Sequence, residues 1–351
     1  MSHHQVKVHS IAILPHDNAE SLEIAQIQGY RAVVRKGQFS TGDLVAYIPQ
    51  DSLVPDALIA EMGLEGRLGG SAKNRVVPVR LRGVFSQGLC LPARSGWAPG
   101  QDVTAELGVT KYEPPIPTGF NGEVKNIGTQ NTVDYDIENI KNFPDVFRDG
   151  EPVVMTEKLH GTCVQFILYP DYTGKAGFAV ASKGRGAKGL VFPVCEANAS
   201  NVYVRIAMAL NIEAKMRECF YAARLPVFVL GEIFGKGIQD LNYGTTPSLR
   251  VFDVAKGHRG DQRYIDDKDL EATCAEMQLP RVPVLYRGPF SEEALHAATN
   301  GKETLSGKQT HVREGAVVRP LIERATPELG RVQLKSVSEA YLLRKGATEY
   351  V

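Results

Sequence analysis

The sequence predicts an α+β protein in two parts: a small N-terminal β-barrel, then a larger domain built on antiparallel sheet with flanking helices. Two observations carry this. Up to about Leu107 the chain is a series of short apolar strands cut by Gly and Pro, the pattern of a small barrel. Beyond Gly150, longer Val/Ile/Phe-rich strands alternate with segments of helical periodicity. Between them the composition shifts: Glu113–Pro114–Pro115–Ile116–Pro117 is extended and semi-rigid, and Gly119 to Asn131 is rich in Gly and Asn. These shifts set a first domain at 1–112, a linker at 113–134 and a second domain at 135–351. A length of 351 residues and a hydrophobic content of 43% leave each part enough apolar residues for its own core.

In the first part the predicted strands are Ile24–Ile27, Tyr30–Val34, Leu44–Pro49, Val76–Leu81 and Gly88–Pro92. The phrasing Val33–Gly37 followed by Gly42–Ile48 resembles an OB-like barrel. Such barrels bind single-stranded or nicked nucleic acid with basic and aromatic groups. Arg31, Arg35, Lys36, Lys73, Arg75, Arg80 and Arg82 are the candidates for that contact, and an ordinary solvated face is the equal alternative. Lys+Arg and Asp+Glu balance at 40 each, so any nucleic-acid surface is local, with an acidic counterweight elsewhere. The five cysteines are scattered and contain no C-x-x-C pair, which argues against zinc and a disulfide framework and for a reducing compartment. With no apolar run of bilayer length and no signal profile in the first twenty residues, the expectation is a cytoplasmic protein with no membrane contact, monomeric by default.

The second part opens on Val153 to Phe166, read as a hairpin with Lys158 at the mouth of its turn and Gly161 letting the backbone bend. A lysine there is a candidate nucleophile. The plain alternative is an exposed turn lysine, and Lys183–Gly184–Arg185–Gly186 repeats the same K-x-x-G spacing. Gly177–Ser182 reads as a strand entering a loop at Lys183–Gly189, and Asn201–Arg224 as one amphipathic helix. Strands at Val227–Phe234 and Leu249–Val254 and helices at Asp267–Gln278 and Ser291–Thr299 follow, the last with Gly301 as cap. Gly315–Arg319 and Arg331–Lys335 form a closing strand pair. Glu232, Glu314 and Lys335 interrupt or terminate apolar strands, with Arg331 on the face of Lys335 by alternation. A charge so placed needs a partner, and each alone fits a structural ion pair. As a set, two lysines and two or three acids suit nucleotidyl transfer. An amine nucleophile must shed its proton, a second cation and a divalent metal favour that, and carboxylates hold the metal or the ribose.

From about Tyr135 onward the chain resembles the nucleotidyltransferase (ATP-grasp-like ligase) domain of ATP-dependent RNA ligases. The first motif, E-K-[IL]-H-G-T, is met by Glu157–Lys158–Leu159–His160–Gly161–Thr162. Ser182–Lys183–Gly184, Leu230–Gly231–Glu232, Phe252–Asp253–Val254, Glu314–Gly315–Ala316–Val317 and Gln333–Leu334–Lys335 follow in order. The resemblance implies that Lys158 becomes linked to AMP from ATP and that Glu232 and Glu314 hold Mg²⁺ or Mn²⁺. It places Glu157, Gly161, Lys183, Phe252 and Lys335 against the nucleotide, and Lys158, Glu232, Glu314 and Lys335 in the chemistry. It also implies RNA ends or an RNA-containing nicked duplex as partner, in strand or nick repair. Gln333 and Cys163 depart from the pattern, standing where relatives carry Lys and Asn. The rival readings are a DNA ligase or capping-type nucleotidyltransferase, and a non-catalytic nucleic-acid-binding protein with a degenerate ligase domain. His160 either touches the nucleotide or, the preferred reading, is a turn-filling or satisfied core histidine.

Overall fold

A computed structural model describes residues 4–114, 118–170, 176–221 and 223–345. The chain forms two compact units. The smaller holds the N-terminal residues to Glu113 together with Ile140–Pro144, and the larger holds Pro114–Asn139 and the chain from Asp145 on. The sequence boundaries assign Ile140–Pro144 to the second domain. In the structure Tyr30 Oη donates to Asn142 Oδ1 (2.8 Å) and Lys141 Nζ to Gln87 Oε1 (3.0 Å), which fastens that turn to the smaller unit.

In the smaller unit Leu44–Ile48 lies between Lys7–Ser10 and Leu89–Pro92, antiparallel to both. A second sheet joins Ala12–Pro15, Leu22–Ile27 and Tyr30–Arg35. Alternation along Leu44–Ile48 serves two cores. Ala46 and Ile48 join Val6, Val8 and Leu58, whereas Val45 and Tyr47 join Ala25, Ile27 and Val34. The strand expected over Val76–Leu81 is shorter, covering Val79–Leu81. The backbone of Val76 instead bonds Asp51 and Ser52, and Pro78 has no N–H to give a ladder.

The larger unit carries two five-stranded sheets. One runs Glu138–Asn139, Leu334–Val337, Gly315–Pro320, Pro152–Lys158, Val284–Pro289, with its first pair parallel. The other runs Ala176–Ser182, Thr162–Pro170, Val227–Phe234, Ser248–Lys256, Arg263–Tyr264, antiparallel throughout. The stretch read as a hairpin is therefore not one. Pro152–Lys158 and Thr162–Pro170 belong to different sheets, and Leu159–Gly161 carries the chain from one to the other. Period-2 apolarity identified both strands, but not their partners.

One face of the second sheet (Val164, Phe166, Val229, Val251) packs on the helices Val202–Ala209, Ile212–Cys219 and Asp267–Glu276 through Val204, Ile212, Met216 and Leu270. The other face carries Ile167, Ala181, Phe228 and Leu230 against Val133 and Tyr135. The single helix expected over Asn201–Arg224 is two, because Asn211 adopts left-handed φ (51°) between them. Lys183–Ala187 is a short helix rather than a loop, Ser182 accepting from Arg185 N–H at its start. The closing pair is Gly315–Pro320 with Leu334–Val337, so Arg331 lies outside that strand and does not share a face with Lys335. Among the described residues no helix is long and apolar enough to cross a membrane.

Candidate active site

Lys158 is the last residue of its strand, where the chain leaves one sheet for the other. Its Nζ lies 2.5 Å from Oε1 of Glu314, the residue before the neighbouring strand. Across the crossing, Glu232 pairs directly with Cys163 on the second sheet and continues the face of Phe228 and Leu230. Gly161 makes the close approach possible, since a Cβ there would collide with the Ile233 carbonyl oxygen and touch Glu232 Cγ. Lys335 stands on the first sheet opposite Val317, two rungs from the rung that joins Lys158 to Gly315. Lys183, just after its strand, pairs with Asp136 (2.8 Å).

These groups feel one another. Burial, followed by the Glu314 carboxylate, pushes Glu232 up to about 8 against the pull of Lys158 and Lys183. Burial acts on Glu314 in the same direction, but Lys158 and His160 overcome it and hold that carboxyl at about 2. Burial, then Lys158, with Lys183 adding to them, pushes Lys335 down to about 8, and Asp136 and Glu138 oppose this. The thiol of Cys163 is raised by burial and by Glu232. The result is two carboxylates whose affinities for protons have been driven apart and a lysine, Lys335, whose amine is lowered, all within reach of Lys158.

Of the residues expected here, Lys158, Gly161, Lys183, Glu232, Glu314 and Lys335 come together. Phe252 borders them: it is the extra residue of a bulge opposite Leu230 and Gly231, and its half-buried ring leans on Tyr135 (5.3 Å between centroids). The side chain of Glu157 does not join. Alternation turns it to the opposite face, where it is 2% exposed and accepts from Thr304 N–H (2.9 Å) and Oγ1–H (2.5 Å). Arg331 is also elsewhere, bound to Asp253 (2.5 Å) and Glu323 (2.7 Å). Asp253, fully buried, also accepts from Tyr135 Oη (2.9 Å), which makes it a structural anchor. Sequence reading missed Asp136 and Glu138 as part of the site. Their only signal was an acidic pair at the start of the second domain, and a short parallel pairing with Leu334–Lys335 brings them in.

The model of the RNA ligase domain matches residues 151–337, more than half of the chain and every residue of the cluster except Asp136 and Glu138. The chain belongs to the RNA ligase family. An OB-fold domain model matches residues 5–93 of this RNA ligase, in keeping with the short-stranded sheets of its smaller unit. No curated protein sequence matches it. Among solved structures, a Naegleria gruberi RNA ligase mutant with ATP and Mn is 24% identical, with a TM-score of 0.80 over 96% of this chain and 98% of that one. A second mutant, with AMP and Mn, is 23% identical at a TM-score of 0.81 over 97% and 98%. The same protein with PPi is 24% identical at 0.79 over 97% and 98%. At these identities the likeness is one of fold, and it extends over both units of the ligase.

Proposed function

We propose that this RNA ligase uses ATP and seals 3′-hydroxyl and 5′-phosphate RNA ends, in strand or nick repair, through an adenylate carried on Lys158. The observation that carries the reading is the position of Lys158: at the crossing between two sheets, 2.5 Å from an ionised Glu314, with Glu232 and Lys335 close enough to perturb and be perturbed. The free amine of Lys158 attacks the α-phosphorus of ATP, forming a P–N bond as the bond to pyrophosphate breaks. A 5′-phosphate oxygen of the RNA then takes the AMP and returns the amine. The 3′-hydroxyl attacks that activated 5′-phosphate, forming the phosphodiester and expelling AMP. The Naegleria gruberi ligase structures with ATP and Mn, with AMP and Mn, and with PPi support the nucleotide and the metal.

Among the described residues no group of three or more His, Cys, Asp or Glu could hold a metal ion. Glu232 and Glu314 both act on Lys158, and burial first, then the Glu314 carboxylate, raises Glu232, a penalty that a bound cation would relieve. Glu232 and Glu314 therefore fit a Mg²⁺ or Mn²⁺ that completes its shell with phosphate oxygens and water, as such ions commonly do. When bound, the ion supplies charge stabilisation at the phosphates. Lys335 and Lys183 add donors for the polyphosphate, Phe252 presents an aromatic face for the base, and Gly161 lets the chain pass close to the nucleotide. The free cysteines are in keeping with a reducing, cytoplasmic setting.

The test is covalent labelling. With Mn²⁺ and ATP labelled at the α-phosphate, the protein should form an acid-stable adduct on Lys158, lost in Lys158→Ala. Labelling by GTP instead points to capping chemistry, and absence of any adduct to a binding protein.

A further inference from the structure

His160 lies two residues past Lys158 with its side chain 5% exposed, and three neighbours fix it. Its backbone N–H donates to Tyr243 Oη (2.8 Å). Its Nε2 lies 2.7 Å from Asp240 Oδ1, and because a carboxylate only accepts, Nε2 carries a proton. Its Nδ1 faces Tyr341 Oη at 2.8 Å and Glu314 Oε2 at 3.7 Å. Asp240 in turn accepts from Arg344 Nε (2.8 Å) and Nη2 (3.1 Å), and the Arg344 guanidinium sits 3.7 Å over the Tyr341 ring. Arg344, Asp240, Tyr341, His160, Glu314 and Lys158 thus form one continuous run from the helix Glu339–Leu342 to the amine.

A buried histidine is satisfied by a single partner on each nitrogen. Here a nearly buried Arg–Asp ion pair takes Nε2 and a tyrosine that is 2% exposed takes Nδ1, and that same Nδ1 lies 3.7 Å from Oε2 of the carboxylate that touches Lys158. We propose that Tyr341 and Arg344 are positioning residues: they hold the imidazole of His160 with Nδ1 toward Glu314 Oε2, which leaves Oε1 of Glu314 aimed at Lys158. The proposal rests on the reading of Lys158 as the AMP-carrying residue. Its action is on the rate of adenylate formation and not on ATP binding, because neither Tyr341 nor Arg344 is among the residues that hold the nucleotide in that reading.

Single-turnover adenylate formation with ATP and Mn²⁺ in the full chain tests this, using Tyr341→Phe, Arg344→Met and Arg344→Lys. Tyr341→Phe keeps the ring against His160 (5.4 Å between centroids) and removes only the hydroxyl. The expected result is a maximal rate lower by about tenfold or more in Tyr341→Phe and Arg344→Met, an apparent KM for ATP within about twofold of wild type, and substantial recovery in Arg344→Lys. Wild-type rates in both variants overturn the proposal and leave Lys158 standing. So does a rise in KM alone, or a rate loss that tracks a falling melting temperature and is not recovered by lysine. If wild type carries AMP on a residue other than Lys158, both readings fall together.

Discussion

Lys335 is expected to weaken the fold that it serves. Its amine is held at about 8 instead of 10.5, by burial and then by the charge of Lys158. Between those values the unfolded chain binds a proton that the folded protein has released, so stability rises with pH across that window. Below about 8 the folded protein carries the full cost of the charge. A gap of about 2.5 in pKa corresponds to about 3 kcal/mol, and solvent around a half-buried side chain reduces this to about 1–2 kcal/mol. Lys335→Met should therefore stabilise the protein at pH 7 by about 1–2 kcal/mol, a few degrees in melting temperature, with an advantage that shrinks toward pH 10. The same variant should form the adenylate about 100-fold more slowly and gain less stability from added ATP. Melting curves at pH 7 and pH 10, with and without ATP, read all of this. A variant less stable than wild type at pH 7, or an advantage undiminished at pH 10, refutes the reasoning.

Glu232 carries the opposite sign: a carboxyl raised from 4.5 to about 8 loses stability as pH rises through that interval, so Glu232→Gln should melt higher than wild type above pH 8 and match it below about pH 4.5. In that variant Mn²⁺ should no longer raise the melting temperature, and the labelled adduct should fall by about 100-fold. Asp253→Asn removes one of the two carboxylates on Arg331, which keeps Glu323, and urea titration should show a loss of about 1–3 kcal/mol. Gly161→Ala drives a Cβ into the Ile233 carbonyl oxygen, so adduct formation should drop steeply while far-UV circular dichroism stays that of wild type.

Much of the site was legible because its residues punctuate apolar strands. Glu232 stands in a run of apolar residues and Lys158 ends one, and a charge there is conspicuous whatever it pairs with. What alternation gives is the face of a strand, and what it withholds is the neighbour. Lys158 and Thr162 looked like the two sides of a turn, yet they end strands of different sheets, a fact set by pairings with Gly315 and Ile233 far along the chain. The partners of His160 were hidden for the same reason, since Asp240, Tyr341 and Arg344 lie some 80 to 184 residues away. The broken helix was hidden differently. Apolar spacing continues across Asn211, and only its backbone conformation divides the segment.

The two departures from the ligase motif pattern take different places in this structure. Cys163 is within the cluster, cross-strand from Glu232, where a neutral thiol adds no third charge beside two carboxylates. Gln333 is one strand-end away, 8% exposed, and its Oε1 accepts from Tyr135 Oη (2.9 Å) and Arg331 Nη1 (2.9 Å). A lysine there would bring a second cation against Arg331 and offer neither donor an acceptor. Gln333 thus belongs with Asp253 and Tyr135 to the network that anchors the strand edge, and Lys335 faces Lys158 without help from a neighbouring motif lysine. That amine is perturbed by its burial first and by the charge of Lys158 second, so Lys335 remains strongly shifted although Gln333 brings no charge.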